Sequence, residues 1–191
     1  HPMGAADAIA LYHKIYPVRN DLFFFANELF VYLLGAFHDL LAPVVWSKEK
    51  ETHSASKVTL ERLSIFFGDE RPGIIFPSGR LSRLTFFGLW DRPWEKTPIA
   101  LAKKYNFPLI PVYIEGRNSW FFYFASYVNS QLRDVSQLNE LFNKRDKNIS
   151  IKIGKPVNVS LLDDNSNIAI DQLRYKSESL RKKGLLNLNR F

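Results

Sequence analysis

The sequence predicts an α/β fold with a mostly parallel central sheet flanked by helices. Three observations carry this expectation. Short apolar runs of strand length alternate with segments of helical periodicity along most of the chain. One run, Leu22-Phe23-Phe24-Phe25-Ala26, is continuously apolar, as a strand buried on both faces must be. The length, 191 residues without repeats or low-complexity segments, suits one domain with a sizeable core.

Taken in order, Pro2 pushes His1 toward an extended conformation, Gly4 permits a tight turn, and Ala5 to Tyr12 opens a helix with Asp7 in its first turn. Pro17 and Asn20-Asp21 break the chain before the Leu22–Ala26 strand. Asn27-Glu28 starts a short helix to about Leu34, which Gly35 ends. Leu40 to Pro43 leads into a short strand at Val44-Val45-Trp46, and Ser47 to Thr52 is polar loop. Val58, Leu63, Phe66 and Phe67 fall close to helical spacing within Ala55–Phe67. The Gly68–Gly73 turn cluster precedes a buried strand, Ile74-Ile75-Phe76, stopped by Pro77. Ser78 to Trp90 reads as a loop, Pro93–Tyr105 as a helix and Leu109–Ile114 as a strand. Helices follow at Trp120–Tyr127 and Asp134–Phe142, then an alternating, half-exposed strand at Ile149–Ile153. Residues 1–158 are expected to form the domain proper, and 159–191 a polar extension with a helix near Ile168–Leu180.

Composition narrows the function. There is no cysteine, so disulfides and thiolate metal sites are excluded. The other histidines, His13, His38 and His53, lack partners at ligand spacing, and no metal is expected. A net charge of +7 with 15% aromatic residues suits an anionic partner. A membrane surface is favoured over nucleic acid, for which no binding motif is present. The longest apolar stretch, Leu29–Phe37, is too short to span a bilayer. Because the chain opens on His1, part of the domain, including a strand and any signal or anchor, is expected to precede it.

Ligands of parallel α/β sheets bind beyond the carboxyl ends of the strands, where His1, Phe76-Pro77 and the residues after Ile114 are all expected. His1 and Asp7 stand six positions apart with a proline and a glycine between them. A turn followed by a helix could fold the imidazole onto the carboxylate, pairing a general base with its orienting acid. The alternative is that Asp7 only caps a helix and His1 is an exposed residue.

The ordered set His1-Pro-Met-Gly-Ala-Ala-Asp7, Phe76-Pro77-Ser78-Gly79-Arg80 and Leu109-Ile-Pro-Val-Tyr-Ile114 resembles the glycerolipid (acylglycerol-phosphate type) acyltransferase family over the chain up to about Val157. The extra residue between His and Asp is similar to a bacterial branch with lyso-ornithine-lipid acyltransferases and proteins called hemolysins. Two departures stand out: Ser78 replaces the glutamate of the family's F-P-E-G-T-R motif, and Arg80 directly follows Gly79. The intervening motif is faint, with Lys48 standing for its basic residue.

The resemblance implies that residues 1–158 are an acyltransferase domain of α/β fold, and that no cofactor is needed beyond an acyl-ACP or acyl-CoA co-substrate. His1 and Asp7 would be catalytic. Phe76, Pro77, Ser78, Gly79, Arg80, Arg83 and Lys48 would bind the acceptor, a lysolipid such as lysophosphatidic acid or a lyso-ornithine lipid. Acyl carrier protein or coenzyme A thioester and a membrane surface would be its partners, on the cytoplasmic face of the inner membrane. The competing readings are a non-catalytic basic membrane-binding module and a serine lipid esterase using Ser78. Trp90, Trp94, Trp120 and the Phe121–Phe124 run suit either lipid docking or an acyl groove as well as core, and Glu95 and Asn118-Ser119 are polar groups beside them.

Overall fold

The computed structural model describes residues 2–27, 39–44, 53–85, 88–129, 136, 139–145 and 147–185. The chain divides into two compact units, one of His1–Leu11 with Pro77–Phe191 and one of Tyr12–Phe76.

The Tyr12–Phe76 unit holds a parallel sheet of β1 (Phe23–Asn27), β2 (Leu41–Val44) and β3 (Gly73–Ile74) in the order β2-β1-β3. Phe24 is in register with Leu41 on one side and Ile74 on the other. Leu22, Phe23, Phe24 and Phe25 are all buried, as the continuous apolar run requires of a central strand. The Phe23 ring lies 4.7 Å from that of Phe66 on α2 (His53–Gly68). Arg71 closes this core: its guanidinium stands 4.0 Å over the Phe66 ring and donates to the carbonyls of Asp21 and Asp39, each at 2.7 Å. β2 begins earlier than the strand expected at Val44–Trp46, because Leu41 and Ala42 are the residues that bury against β1. The expected helix to Leu34, and Val45 and Trp46, lie outside the described residues.

In the other unit the chain opens with α1 (Ala5–Ile15), whose buried residues are Ala6, Asp7 and Leu11. Ser78–Trp90, expected to be loop throughout, contains an antiparallel pair, β4 (Arg83–Thr85) and β5 (Gly88–Trp90). Helix α3 (Thr97–Tyr105) ends on Asn106, whose left-handed φ of 54° turns the chain toward β6 (Val112–Glu115). β6 pairs antiparallel with β7 (Ser150–Ile153), Val112 facing Ile153 and Glu115 facing Ser150. Between them run α4 (Trp120–Val128) and a helical stretch over 139–143. A 3-10 turn (Val159–Leu161) and α5 (Ser166–Leu185) complete the unit. Its core joins Ile99 and Ala102 of α3 to Val157, Val159, Leu162 and to Ala169, Ile170 and Leu173 of α5.

The expectation of an α/β fold holds, and that of a mostly parallel central sheet is not confirmed. Among the described residues parallel pairing is confined to β2-β1-β3, and the remaining pairs are antiparallel. No described helix is long and apolar enough to cross a membrane.

Candidate functional site

The site is built from the first turn of α1. Gly4 adopts φ 77°, a left-handed conformation that costs an ordinary residue roughly 1–2 kcal/mol. That turn folds the backbone back over the helix start, so that the N–H groups of Met3 and Gly4 both donate to Asp7 Oδ2, at 2.7 and 3.0 Å. Asp7 is fully buried. Burial pushes its carboxyl up to about 6, against the opposing pull of those two N–H donors. Asp7 therefore does cap its helix, and it is also a buried, rigidly oriented carboxylate beside His1 in sequence. His1 itself and Lys48 lie outside the described residues.

Two further segments converge on this turn. The first follows β6. A β-carbon on Gly116 would sit 2.6 Å from Met3 Cε, so this loop lies directly against the Met3 side chain. Next in the loop, the Asn118 N–H donates to Tyr123 Oη at 3.1 Å. Burial raises the Tyr123 phenol above its ordinary range, and the Asp7 charge adds to that rise, which puts ring and carboxylate within electrostatic reach. Ser119 caps α4: its Oγ accepts from the Phe122 N–H at 3.2 Å, while its own N–H and hydroxyl donate to Glu140. Glu140 is buried and ion-paired with Lys144 at 2.8 Å. Asn118 is only 4% exposed, yet neither polar atom of its side-chain amide has a partner among the described residues. A buried amide in that state costs about 1–3 kcal/mol, which marks Asn118 as a group available to a bound molecule.

The second segment centres on Asp91. Ser82 Oγ donates to its Oδ1 at 3.2 Å, Trp94 Nε1 to its Oδ2 at 2.7 Å, and Ser78 Oγ lies 3.3 Å from Oδ1. Its charge helps to raise Asp7, so a second carboxylate stands in the neighbourhood of the first. Neither Asp91 nor Glu140 was singled out from sequence. No motif spacing marks them, and only the contacts made by the folded chain do so.

The remaining expected residues divide. Ser78 is buried and gives its hydroxyl proton to the Arg80 carbonyl at 2.8 Å. Its shorter bond is to a carbonyl rather than to the Asp91 carboxylate at 3.3 Å, and no histidine is among its hydrogen-bond partners in the described residues. Pro77 O accepts from the Glu95 N–H at 3.0 Å, fixing the start of the loop. Gly79 turns that loop with φ 58°, and Arg80 and Arg83 project from it as exposed guanidinium groups. Phe76 belongs to the other unit. Trp94 is partly buried against the core, whereas Trp90 is exposed with the Arg174 guanidinium 5.6 Å over its ring. Among the described residues no three acidic or histidine side chains are grouped to hold a metal ion.

Comparison with known proteins gives the family of the chain. A family model described as acyltransferase matches residues 1–190. The lyso-glycine lipid O-acyltransferase of Phocaeicola vulgatus is 29% identical over 164 residues, 82% of this chain and 57% of the relative. That of Bacteroides thetaiotaomicron is also 29% identical over 164 residues, 82% of this chain and 58% of the relative. The chain thus spans less than three fifths of the length of these curated relatives. No solved structure matches it.

Proposed function

This chain belongs to the acyltransferase family, and from that premise we propose that it transfers a fatty acyl group from an acyl thioester to the hydroxyl of a lysolipid at a membrane surface. The observation that carries the reading is the buried Asp7 carboxylate, locked by two backbone N–H groups and preceded by His1 at the motif spacing. A carboxylate that only capped a helix would gain from facing water. This one is kept in a low-dielectric site at the expense of its own ionisation, as catalytic acids and their orienting groups commonly are.

In this mechanism His1 takes the proton from the acceptor hydroxyl while Asp7 holds the imidazole tautomer and stabilises the imidazolium. The oxygen attacks the thioester carbonyl. The tetrahedral intermediate collapses with cleavage of the carbon–sulfur bond, and the departing thiolate receives the proton from His1. No acyl-enzyme forms. A base so positioned contributes about a hundred- to ten-thousand-fold in rate. Arg80 and Arg83, exposed on the Ser78–Trp90 segment, pair with an anionic head group. The names of the two relatives support a lysolipid acceptor of the lyso-glycine lipid type. The thioester is carried by acyl carrier protein or coenzyme A, a donor class that places the work on the cytoplasmic face of the inner membrane.

The test supplies radiolabelled acyl-ACP and acyl-CoA with a panel of lyso-glycine lipid, lyso-ornithine lipid and lysophosphatidic acid. Label should appear in a diacyl product with at least one acceptor and disappear on His1→Ala. Absence of label from every lysolipid, or full activity of His1→Ala, would overturn the reading.

A further inference from the structure

The α4 helix exposes an apolar face that nothing within the described unit uses. Trp120, Phe121, Phe124, Tyr127 and Val128 are each 58–92% exposed. At about 100° per residue these five side chains occupy a single arc of roughly 120°. The other side of the helix is turned inward: Phe122 and Ala125 are buried, and Ser126 Oγ is tied to the Phe122 carbonyl at 2.7 Å. The helix carries no charged residue. Arg117, three residues before its start, is exposed, and the acidic residue beside its cap, Glu140, is buried and neutralised by Lys144.

We propose that this face is the surface by which the protein docks, peripherally, on an anionic lipid bilayer. The chemistry favours a bilayer over another protein. The two amphipathic rings, Trp120 and Tyr127, stand near the two ends of α4, with purely apolar Phe121 and Phe124 between them. Rings with one polar atom are stable at the headgroup level, while phenyl groups partition deeper. The flanking Arg117 and the net charge of +7 supply attraction to anionic headgroups. The docked face begins two residues after Asn118, on the helix whose Tyr123 lies within electrostatic reach of Asp7. Docking thus brings the Asp7 region to the lipid surface, where a lysolipid already resides. In that last respect the inference rests on the proposed activity; the docking itself does not.

The experiment is flotation of the full chain with vesicles of phosphatidylcholine alone and with phosphatidylglycerol added. The triple variant Phe121→Asp, Phe124→Asp, Tyr127→Asp changes only solvent-facing side chains and should keep the wild-type circular dichroism. Its partitioning onto phosphatidylglycerol vesicles should fall at least tenfold, whereas Val18→Asp, an exposed apolar position on the other unit, should partition as wild type. Acyl transfer to lysolipid embedded in vesicles should fall with partitioning, and transfer to lysolipid in detergent micelles should persist. Equal flotation of the triple variant and wild type overturns the proposal. So does a wild-type dimer in sedimentation that the triple variant abolishes without changing flotation, since a second copy would then cover the face. Docking through α4 with no acyl transfer to any lysolipid would instead overturn the proposed activity and leave the docking surface standing.

Discussion

At Asp7 burial and the proposed catalytic role make opposite demands on charge, and the capping N–H groups side with the second. Burial raises its carboxyl from 3.8 to about 6, so the folded chain binds that proton more tightly than the unfolded chain does. The stabilisation is fully present below pH 4 and is lost as pH rises through 6, on the order of 3 kcal/mol over that window. Asp7→Asn retains an oxygen to accept from Met3 and Gly4 and has no charge to bury. It should therefore match or exceed wild type in urea unfolding at pH 8, with wild type gaining on it as pH falls toward 4. Acyl transfer should behave in the opposite sense: abolished in Asp7→Asn at every pH, and falling in wild type below about pH 6 as the carboxyl takes its proton. A variant both stable and inactive would separate the catalytic role of Asp7 from its capping role. Asn118 makes a parallel case. Asn118→Leu breaks no hydrogen bond of its side chain among the described residues, so its melting temperature should not fall. If the amide bonds the substrate, acyl transfer should drop about two- to tenfold, the range expected for one neutral hydrogen bond. At this scale the motif spacing singled out Asp7, Ser78, Arg80 and Arg83, of which the first two are buried and the arginines exposed. Asp91 and Glu140 were not, since a single acidic residue carries no signal until the fold brings hydroxyl and N–H groups to it.

At the scale of elements, the helices were read more faithfully than the strands. Helices α1 and α4 start where Gly4 and Ser119 allow, and α2 runs from His53 to Gly68, slightly longer at each end than the expected Ala55–Phe67. The β4–β5 pair escaped notice because the residues between its strands, Phe86-Phe87, contain no glycine, asparagine or aspartate to announce a tight turn. β7 showed the alternation of a half-exposed strand but not its direction, which α4 and the 139–143 helical stretch decide by returning the chain antiparallel to β6. The cap of α4 is the element on which the Asn118 loop depends. Glu140 holds both the N–H and the hydroxyl of Ser119, and Lys144 is only 10% exposed in its side chain. Glu140→Ala leaves that ammonium buried without its partner, a loss of about 3–5 kcal/mol. A lowered midpoint in denaturant, with acyl transfer reduced more than the folded fraction, is the expected result; an unchanged midpoint would show that the ion pair contributes nothing.

For the whole molecule, the polar composition after Asp163 conceals how the last helix is used. Few apolar residues occur there, but Ala169, Ile170 and Leu173 fall on one face of α5 and close the same core as Ile99 and Ala102 of α3. Ser177 on that face donates to the Val112 carbonyl of β6 at 2.6 Å, tying the helix to the strand that leads into the Asn118 loop. The apolar pattern of α5 is sparse because its remaining face meets water, and sparse patterns carry little weight when a sequence is read alone. In the folded chain those few side chains are nonetheless buried almost completely. Leu173→Ala should therefore cost about 2–5 kcal/mol, since it removes a large side chain from a closed core. A chain ending at Asn158 should lose the helical signal of α5 and fold its β6–β7 unit poorly, because the exposed faces of Ile99, Ala102 and Val157 would have no cover. Circular dichroism and urea unfolding check both variants. A chain ending at Asn158 that unfolded at the wild-type midpoint and kept acyl transfer would show that the core closes without α5 and that the site needs only what precedes it.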